Sequence, residues 1–298
     1  MTDNGTYQGP TDQPLRVLSL GAGVQSTTIL LMALAGDIPP IDVAIFADTG
    51  WEPATVYEHL DRLEATARTG GIDVRRVSAG NIHADHIDPS SPHLFIRRPV
   101  RHPEWKGRQR TFIPFYVTAP TGKEGITYRT CTKTYKIEPV EKELRHLLGL
   151  KPRERWPLDH RIDQLFGISW DESHRTKDST RPAIRNVYPL VDARITRDDC
   201  HRWMAEHGWT APRSACIGCP YHRNDEWRRL RSESPAEFAQ AVTFDARMRE
   251  LHAAGRLPIE GTPYIHDSRV PLSVAPIDLP DDDRADPFGN ECDGMCGV

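Results

Sequence analysis

Six cysteines in 298 residues are too few for a disulfide framework, so a packed core must hold this fold. No stretch approaches the ~20 uninterrupted apolar residues of a membrane span. The opening MTDNGTYQGPTDQP has none of the apolar character of a secretory leader, and the expectation is a cytoplasmic chain. Charge of one sign is also scarce. Thirty-eight Lys and Arg against 42 Asp and Glu leave a formal net charge of −4, which excludes a generic polyanion binder but leaves room for a local basic patch. The 25 Pro and 21 Gly are scattered and no repeat is visible, which excludes collagen-like and low-complexity chains. What remains is a globular chain long enough to bury a sizeable core.

The pattern of apolar residues predicts strand, helix, strand, helix, strand over residues 16–20, 26–35, 41–47, 53–68 and 72–77. Val56, Leu60, Leu63 and Ala67 share one face of the second helix, and Pro53 suits its first turn. Such alternation implies an α/β fold, a mainly parallel sheet with helices on both faces. Residues 79–127 read as irregular and rich in Pro, His and Arg. Further on, a helix is expected over 138–148, a strand over 163–169, and a helix over 196–207 with Thr196 and Asp199 as a capping box. A last helix is expected over 234–254. The division expected is a flexible lead (1–14), a nucleotide-binding domain (15–232) and a C-terminal helical, cysteine-bearing extension (233–298).

Two loops carry candidate ligand chemistry. The first strand runs into Ser19-Leu-Gly21-Ala-Gly23-Val-Gln25-Ser26-Thr27-Thr28 and then a helix. Gly21 and Gly23 suggest a tight turn that a ligand can approach, and the helix N-terminus favours an anion. Ser26, Thr27 and Thr28 would add hydroxyl donors. A plain strand-to-helix turn is the competing account. The second strand ends in Asp48-Thr49-Gly50-Trp51-Glu52, beside the first loop at the carboxyl edge, where such sheets bind ligands. Asp48 is a candidate for ribose or metal, with capping of the next helix as its plainer role.

Cys216-x-x-Cys219 is half a zinc site, a redox pair or part of an iron–sulfur cluster, and Cys131 lies 85 residues upstream. Cys200 reads as a core cysteine and His222 as a surface histidine rather than a ligand. Cys292 and Cys296 stand beside glycines near the end of the sequence and suit an attacking and a resolving thiol, although their acidic neighbours would raise a thiol pKa. Arg97, Arg98, Arg101, Lys106, Arg108 and Arg110 form a basic loop with His102 and Trp105 interleaved, compatible with a nucleic-acid partner or a solvated loop.

Taken in order, SLGAGVQSTT, FADTGWEP, Arg129-Thr-Cys131-Thr132-Lys133-Thr-Tyr-Lys136, Gly167-Ile-Ser169-Trp-Asp-Glu172-Ser-His-Arg175 and Cys216-Ile-Gly-Cys219-Pro220 resemble the PAPS (phosphoadenosine phosphosulfate) reductase-like branch of the PP-loop, adenine nucleotide alpha-hydrolase superfamily. The similarity spans about residues 16–232. It implies a Rossmann-like fold and an adenosine nucleotide, either ATP or adenylyl-sulfate/PAPS. The nucleotide would be held by Ser19, Gly21, Gly23, Gln25, Ser26, Thr27, Asp48, Thr49, Gly50, Glu52, Gly167 and Ser169. Lys133, Lys136 and Arg175 would bind phosphate or sulfate, and Glu172 is a candidate for Mg2+. Cys131, Cys216 and Cys219 would hold a 4Fe-4S cluster, with zinc as the alternative. The tail resembles the Glu-Cys-Gly end of the reductases, which makes Cys292 and Cys296 the candidate catalytic thiols.

The chain departs from the pattern at Gln25, where ATP-splitting relatives carry an aspartate, and at Thr132, where cluster-bearing reductases carry a second cysteine. A reductase of the PAPS type is the first expectation. An ATP-dependent sulfurtransferase acting on tRNA, DNA or a small molecule, served by a thiol or sulfur-donor protein, is the alternative. A zinc-stabilised nucleic-acid-binding module ranks below both, because it leaves the two loops without a role.

Overall fold

The computed structural model describes residues 13–96 and 103–280. Cys292, Cys296, Arg97, Arg98, Arg101 and His102 therefore lie outside the described residues. The chain opens with β1 (Leu15–Leu20), α1 (Val24–Ala35), β2 (Val43–Asp48), α2 (Ala54–Thr69) and β3 (Asp73–Ser78). After a one-turn helix, α3 (Ala84–Ile87), come β4 (Tyr116–Thr118) and β5 (Glu124–Ile126). A π-helical turn over Thr132–Ile137 runs directly into α4 (Glu138–Leu147), followed by β6 (Ile162–Phe166) and β7 (Ile184–Val187). The short α5 (Pro189–Asp192), α6 (Arg197–Glu206), α7 (Asn224–Glu233), α8 (Pro235–Ala253) and β8 (Thr262–Tyr264) complete the described elements.

The main sheet has five parallel strands in the order β3-β2-β1-β6-β7. This is the α/β, mainly parallel architecture that the alternation of elements predicts. β1 is central because its residues are apolar on both faces. Leu18 and Leu20 join a core with α1, α2 and α6, while Leu15 and Val17 join a second core with Val140, Leu144 and Leu147 of α4. The two sides of the sheet thus receive different helices, and the connections diverge between β1 and β6. That point is where an open α/β sheet leaves a crevice at its carboxyl edge.

A third core lies beyond that edge. Trp227 of α7 and Phe244 and Met248 of α8 pack on Trp51, Phe115 and Tyr135. A small antiparallel sheet, β5-β4-β8, covers this core and ties residues 116–118 to 262–264. The buried Asp245 pins it from below. Its Oδ1 accepts from Ile265 N at 3.1 Å, its Oδ2 accepts from Leu272 N at 2.9 Å, and Arg249 is ion-paired to it.

Three details differ from the sequence expectation. The strand foreseen over 163–169 ends at Phe166, so Gly167 and Ser169 are loop residues. β4 and β5 arise in the stretch read as irregular, and β7 and β8 arise where the sequence pattern predicts no element. His222 is buried, not on the surface, because α7 brings Trp227 against it with ring centroids 4.7 Å apart.

Candidate functional site

The turn after β1 is built differently from the glycine reading. Its left-handed residue is Ala22 (φ 56°), while Gly23 is extended at φ −94° and ψ −176°. An alanine in this conformation costs about 1 kcal/mol, and its methyl group is buried in the core beside α1. The hydroxyls of the next residues are turned inward. Ser26 Oγ accepts from Gly21 N at 3.1 Å, Thr27 Oγ1 meets His59 Nε2 at 3.0 Å, and Thr28 Oγ1 donates to Val24 O at 2.9 Å. What this turn has left to offer an anion is the backbone N–H groups at the start of α1.

Gln25 is fully buried. Its Nε2 donates to Ser169 Oγ at 2.7 Å and to Glu172 Oε2 at 2.9 Å, and Arg175 donates to the same Glu172 oxygen at 2.9 Å. The carboxylate considered for Mg2+ is thus already held by an amide and a guanidinium. Arg175, read as a phosphate ligand, is engaged in that pair. Gln25 Oε1 is buried with no hydrogen-bond partner. Gly167 allows the contact that brings these groups together, since a Cβ there would lie 2.8 Å from the backbone N of Ser26.

On the second loop, Asp48 Oδ1 accepts from Gly50 N at 2.7 Å and from Tyr57 Oη at 2.8 Å, so Asp48 fixes the start of α2. Thr49 Oγ1 donates to Glu52 Oε1 at 2.9 Å and lies 3.2 Å from Cys216 Sγ. Cys216 Sγ donates to that same Glu52 oxygen at 3.5 Å. The other oxygen, Oε2, is buried without a partner. Ile217 N donates to Trp51 O at 2.9 Å, and the hydroxyl of Ser214 donates to Gly21 O. These bonds dock the C-x-x-C segment onto both candidate ligand loops.

Cys131, Cys216 and Cys219 line one cavity of about 20 Å³, together with Thr132, Lys136 and Arg129. Burial pushes all three thiols up, Cys219 to about 11 and Cys216 further through the neighbouring Glu52. Burial also holds His222 down at about 4, and its Nε2 lies 3.0 Å from Cys216 O. A neutral ring can therefore donate to this carbonyl and brace the C-x-x-C turn. Cys200 is buried in the α1–α6 core, away from the other thiols.

The donor set is soft and buried, and the orphaned hydroxyl of Thr132 lies on the same cavity, so in kind it suits a thiolate-bound metal or cluster. As the side chains stand, the cavity has little more than the space of a water molecule, so a metal or cluster there would have to part the three thiols. Among the described residues no three His, Cys, Asp or Glu side chains are arranged to hold a metal ion.

Trp51 gives the C-x-x-C turn its shape. A Cβ on Gly218 would fall 2.1 Å from Cη2 of the Trp51 ring. Trp51 is itself wedged against His83 and Phe244, with centroids 4.7 and 4.9 Å away, and cannot swing aside. Gly218→Ala should therefore cost about 1–3 kcal/mol of stability and displace the two cysteines. Denaturant unfolding and metal content of the variant check this.

Lys136 sits at the centre. The wide π-helical turn, of a kind frequent at functional sites, carries it inward and leaves Lys133 exposed. Lys136 is 7% exposed. Burial works against its charge, but Glu52 and the thiols of Cys216, Cys131 and Cys219 hold its pKa above the ordinary lysine value. It lines the thiol cavity, a small cavity at Ser19, Gly21 and Glu52, and a cleft of about 310 Å³ beside β1, β6 and β7. Lys133 lines none of these three. Sequence reasoning had no signal for the cleft, whose walls include Gln164, Asn186 and the stretch Lys177–Arg181.

The described part of the basic loop contains Lys106, Arg108 and Arg110, of which Lys106 is exposed. No helix among the described residues is long and apolar enough to cross a membrane.

No family model and no curated protein matches this sequence. Solved structures are similar over part of the chain. One is a PAPS reductase from Candida auris in complex with phosphate, 14% identical, covering 67% of this chain and 76% of that one, with a TM-score of 0.39. Another is a U34-tRNA thiolase from Methanococcus maripaludis with its [4Fe-4S] cluster, 12% identical, covering 78% of this chain and 71% of that one, with a TM-score of 0.37.

Proposed function

We propose that this chain is an adenylyl-nucleotide-dependent enzyme of sulfur metabolism. In this reading the nucleotide lies along the carboxyl edge of β1 and β6, and sulfur is handled at the thiol cavity. One observation carries it: the buried side chain of Lys136 lines the cleft beside β1, β6 and β7, the cavity at the Gly21 turn and the three-thiol cavity alike. A module whose cysteines only stabilise a fold has no use for a charged side chain there.

The gathering of Cys131, Cys216 and Cys219 on one cavity gives a sulfurtransferase a place to handle sulfur, and its steps are the following. In a transferase, an oxygen of the acceptor attacks the α-phosphorus of ATP and pyrophosphate leaves. A sulfur nucleophile at the oxidation level of sulfide then attacks the activated carbon, and the C–O bond breaks with its electron pair to release AMP. No external electron is needed.

The chain's own groups fit these steps. Backbone N–H groups at the start of α1 hold phosphate oxygens. Lys136 offsets the charge that develops between phosphate and sulfur. Glu52 is the nearest base to the Cys216 proton. Cys131, Cys216 and Cys219 would hold an iron–sulfur cluster or zinc, and an iron site would supply a place to carry sulfide.

Anaerobic purification with an absorption spectrum and iron, sulfide and zinc counts tests this reading. A brown protein with a band near ~400 nm and about four iron per chain, bleached by serine at Cys131, Cys216 or Cys219, is the expected result. A colourless protein with stoichiometric zinc and no nucleotide binding would overturn it in favour of a structural metal module.

A further inference from the structure

We propose that Asp85 is a positioning residue for Lys136: through the hydroxyl of Tyr135 it holds the π-helical turn in the form that directs the lysine inward. The value of that placement rests on the reading above, in which the charge of Lys136 serves phosphate and sulfur alike.

Asp85 is a buried carboxylate that none of the proposed steps uses. It lies on α3 and is 4% exposed. Its Oδ2 accepts from Tyr135 Oη at 2.6 Å, and its Oδ1 accepts from Ser91 Oγ. Both of these partners are neutral hydroxyls. An asparagine would fill the same space and give up less solvation. What the carboxylate adds is a bond about twice as strong as a neutral one, in the short range of O–H···O⁻ contacts. An ionised carboxylate also has no hydrogen to offer, so the Tyr135 hydroxyl can only donate to it.

α3 grips the thiol segment at two points. Beside Asp85, His86 Nε2 accepts from Phe112 N at 2.9 Å, and Phe112 O accepts from Cys131 N at 2.9 Å. That grip lies just before the π-helical turn, and the Asp85–Tyr135 bond lies within it. Phe112 joins the two, since its ring stands edge-on to Tyr135 with centroids 5.2 Å apart. Lys136 follows Tyr135 directly, so a fixed ring fixes the direction in which the lysine leaves the backbone.

The turn needs such support. A π-helical turn is rare and stands as a single turn against the α-helix it joins, here α4. Closed to α-helical spacing, the turn would set Lys133 and Lys136 only about 60° apart around the axis. Lys136 would then swing toward the exposed side that Lys133 occupies.

The test is acylation of lysines in the full chain by an N-hydroxysuccinimide ester, mapped by mass spectrometry, with Lys133 as the internal reference. In the unaltered chain Lys136 should react well behind Lys133. Tyr135→Phe, which removes one oxygen, and Asp85→Ala should each speed Lys136 relative to Lys133 by about tenfold to a hundredfold, the worth of a lost bond to a charged group. Asp85→Asn keeps an acceptor and should stay below about fivefold. Met248→Ala loosens the core that Tyr135 shares without removing a hydrogen bond, and should leave the ratio unchanged. Equal rates at the two lysines in the unaltered chain, no change in Tyr135→Phe, or the same rise in Met248→Ala would each overturn the assignment. No nucleotide, metal or turnover enters the measurement, so its failure leaves the functional reading standing, and a chain that binds no nucleotide can still show the clamp.

Discussion

Replacing Lys136 with methionine should lower turnover by about two to three orders of magnitude, the usual loss when one preorganised charge is removed from a water-poor site. The side chain is almost wholly buried, and methionine keeps most of its length and apolar stem. The effect should fall mainly on kcat, because a charge that answers developing charge acts in the transition state more than in the bound ground state. A second readout separates this role from packing. Lys136 pulls the Cys216, Cys219 and Cys131 thiols down against the upward push of burial. Without it the three thiols should hold their protons more tightly, and iodoacetamide should alkylate them about tenfold more slowly at a fixed pH for each unit their pKa rises. Lys136→Arg should recover much of the thiol reactivity but little turnover, since the larger fork does not match the space of an ammonium group. Metal content is measured alongside. Unchanged alkylation and unchanged turnover in Lys136→Met would make this lysine a bystander.

The parts of the fold legible in the sequence are those built from local signals. β1 and β2 follow from apolar runs of strand length and α2 from its single apolar face, and the Thr196–Asp199 capping box is present as expected. The antiparallel sheet was not legible, because each of its strands is three residues long and β4 finds β8 across nearly half the chain. Too few residues alternate there to show a period, and only the packing of α8 brings the two strands together.

The site divides the same way. Loop positions at the carboxyl edge follow from topology, so Gly21, Thr49, Glu52 and Ser169 lie together there. Side-chain direction does not follow from motif order. That is why Ser26 and Thr27 are turned inward, why Ala22 rather than a glycine takes the left-handed turn, and why Lys133 and Lys136, three residues apart, have opposite surroundings. The π-helical turn changes the spacing that an ordinary helix would impose, and nothing in residues 132–137 announces it. His86 was missed for a simpler reason. It lies in a stretch without periodicity, where the only hint is its place between Ile82 and Ile87.

That histidine leads to the second large effect, a loss of stability as pH falls from about 6.5 to 4. His86 is fully buried, and burial lowers its pKa to about 4 although its contact with the Ile82 carbonyl works the other way. Nε2 accepts from Phe112 N at 2.9 Å, so this nitrogen is unprotonated and Nδ1, 2.6 Å from Ile82 O, carries the hydrogen. Protonating Nε2 would set a donor against a donor in the core. In the unfolded chain the same ring titrates near 6.5. The folded pKa is the lower of the two, so the full contribution is present above about pH 6.5. As pH falls, the unfolded chain takes up the proton first, and stability drops until the folded ring also titrates near 4. Integrated over that window, His86 alone accounts for about 3 kcal/mol. His59, also near 4 through burial and bonded to Thr27, acts in the same direction. Phe112 O in turn accepts from Cys131 N at 2.9 Å, so the segment that His86 pins also carries a thiol of the candidate site. Acid should therefore open the thiol cavity as it weakens the fold. Denaturant midpoints at pH 7.5, 6 and 5 should decline steeply in the unaltered chain and less steeply in His86→Gln, which starts lower but has one proton fewer to take up on unfolding. Parallel slopes in the two proteins would remove His86 from the account and leave the acid response to other groups.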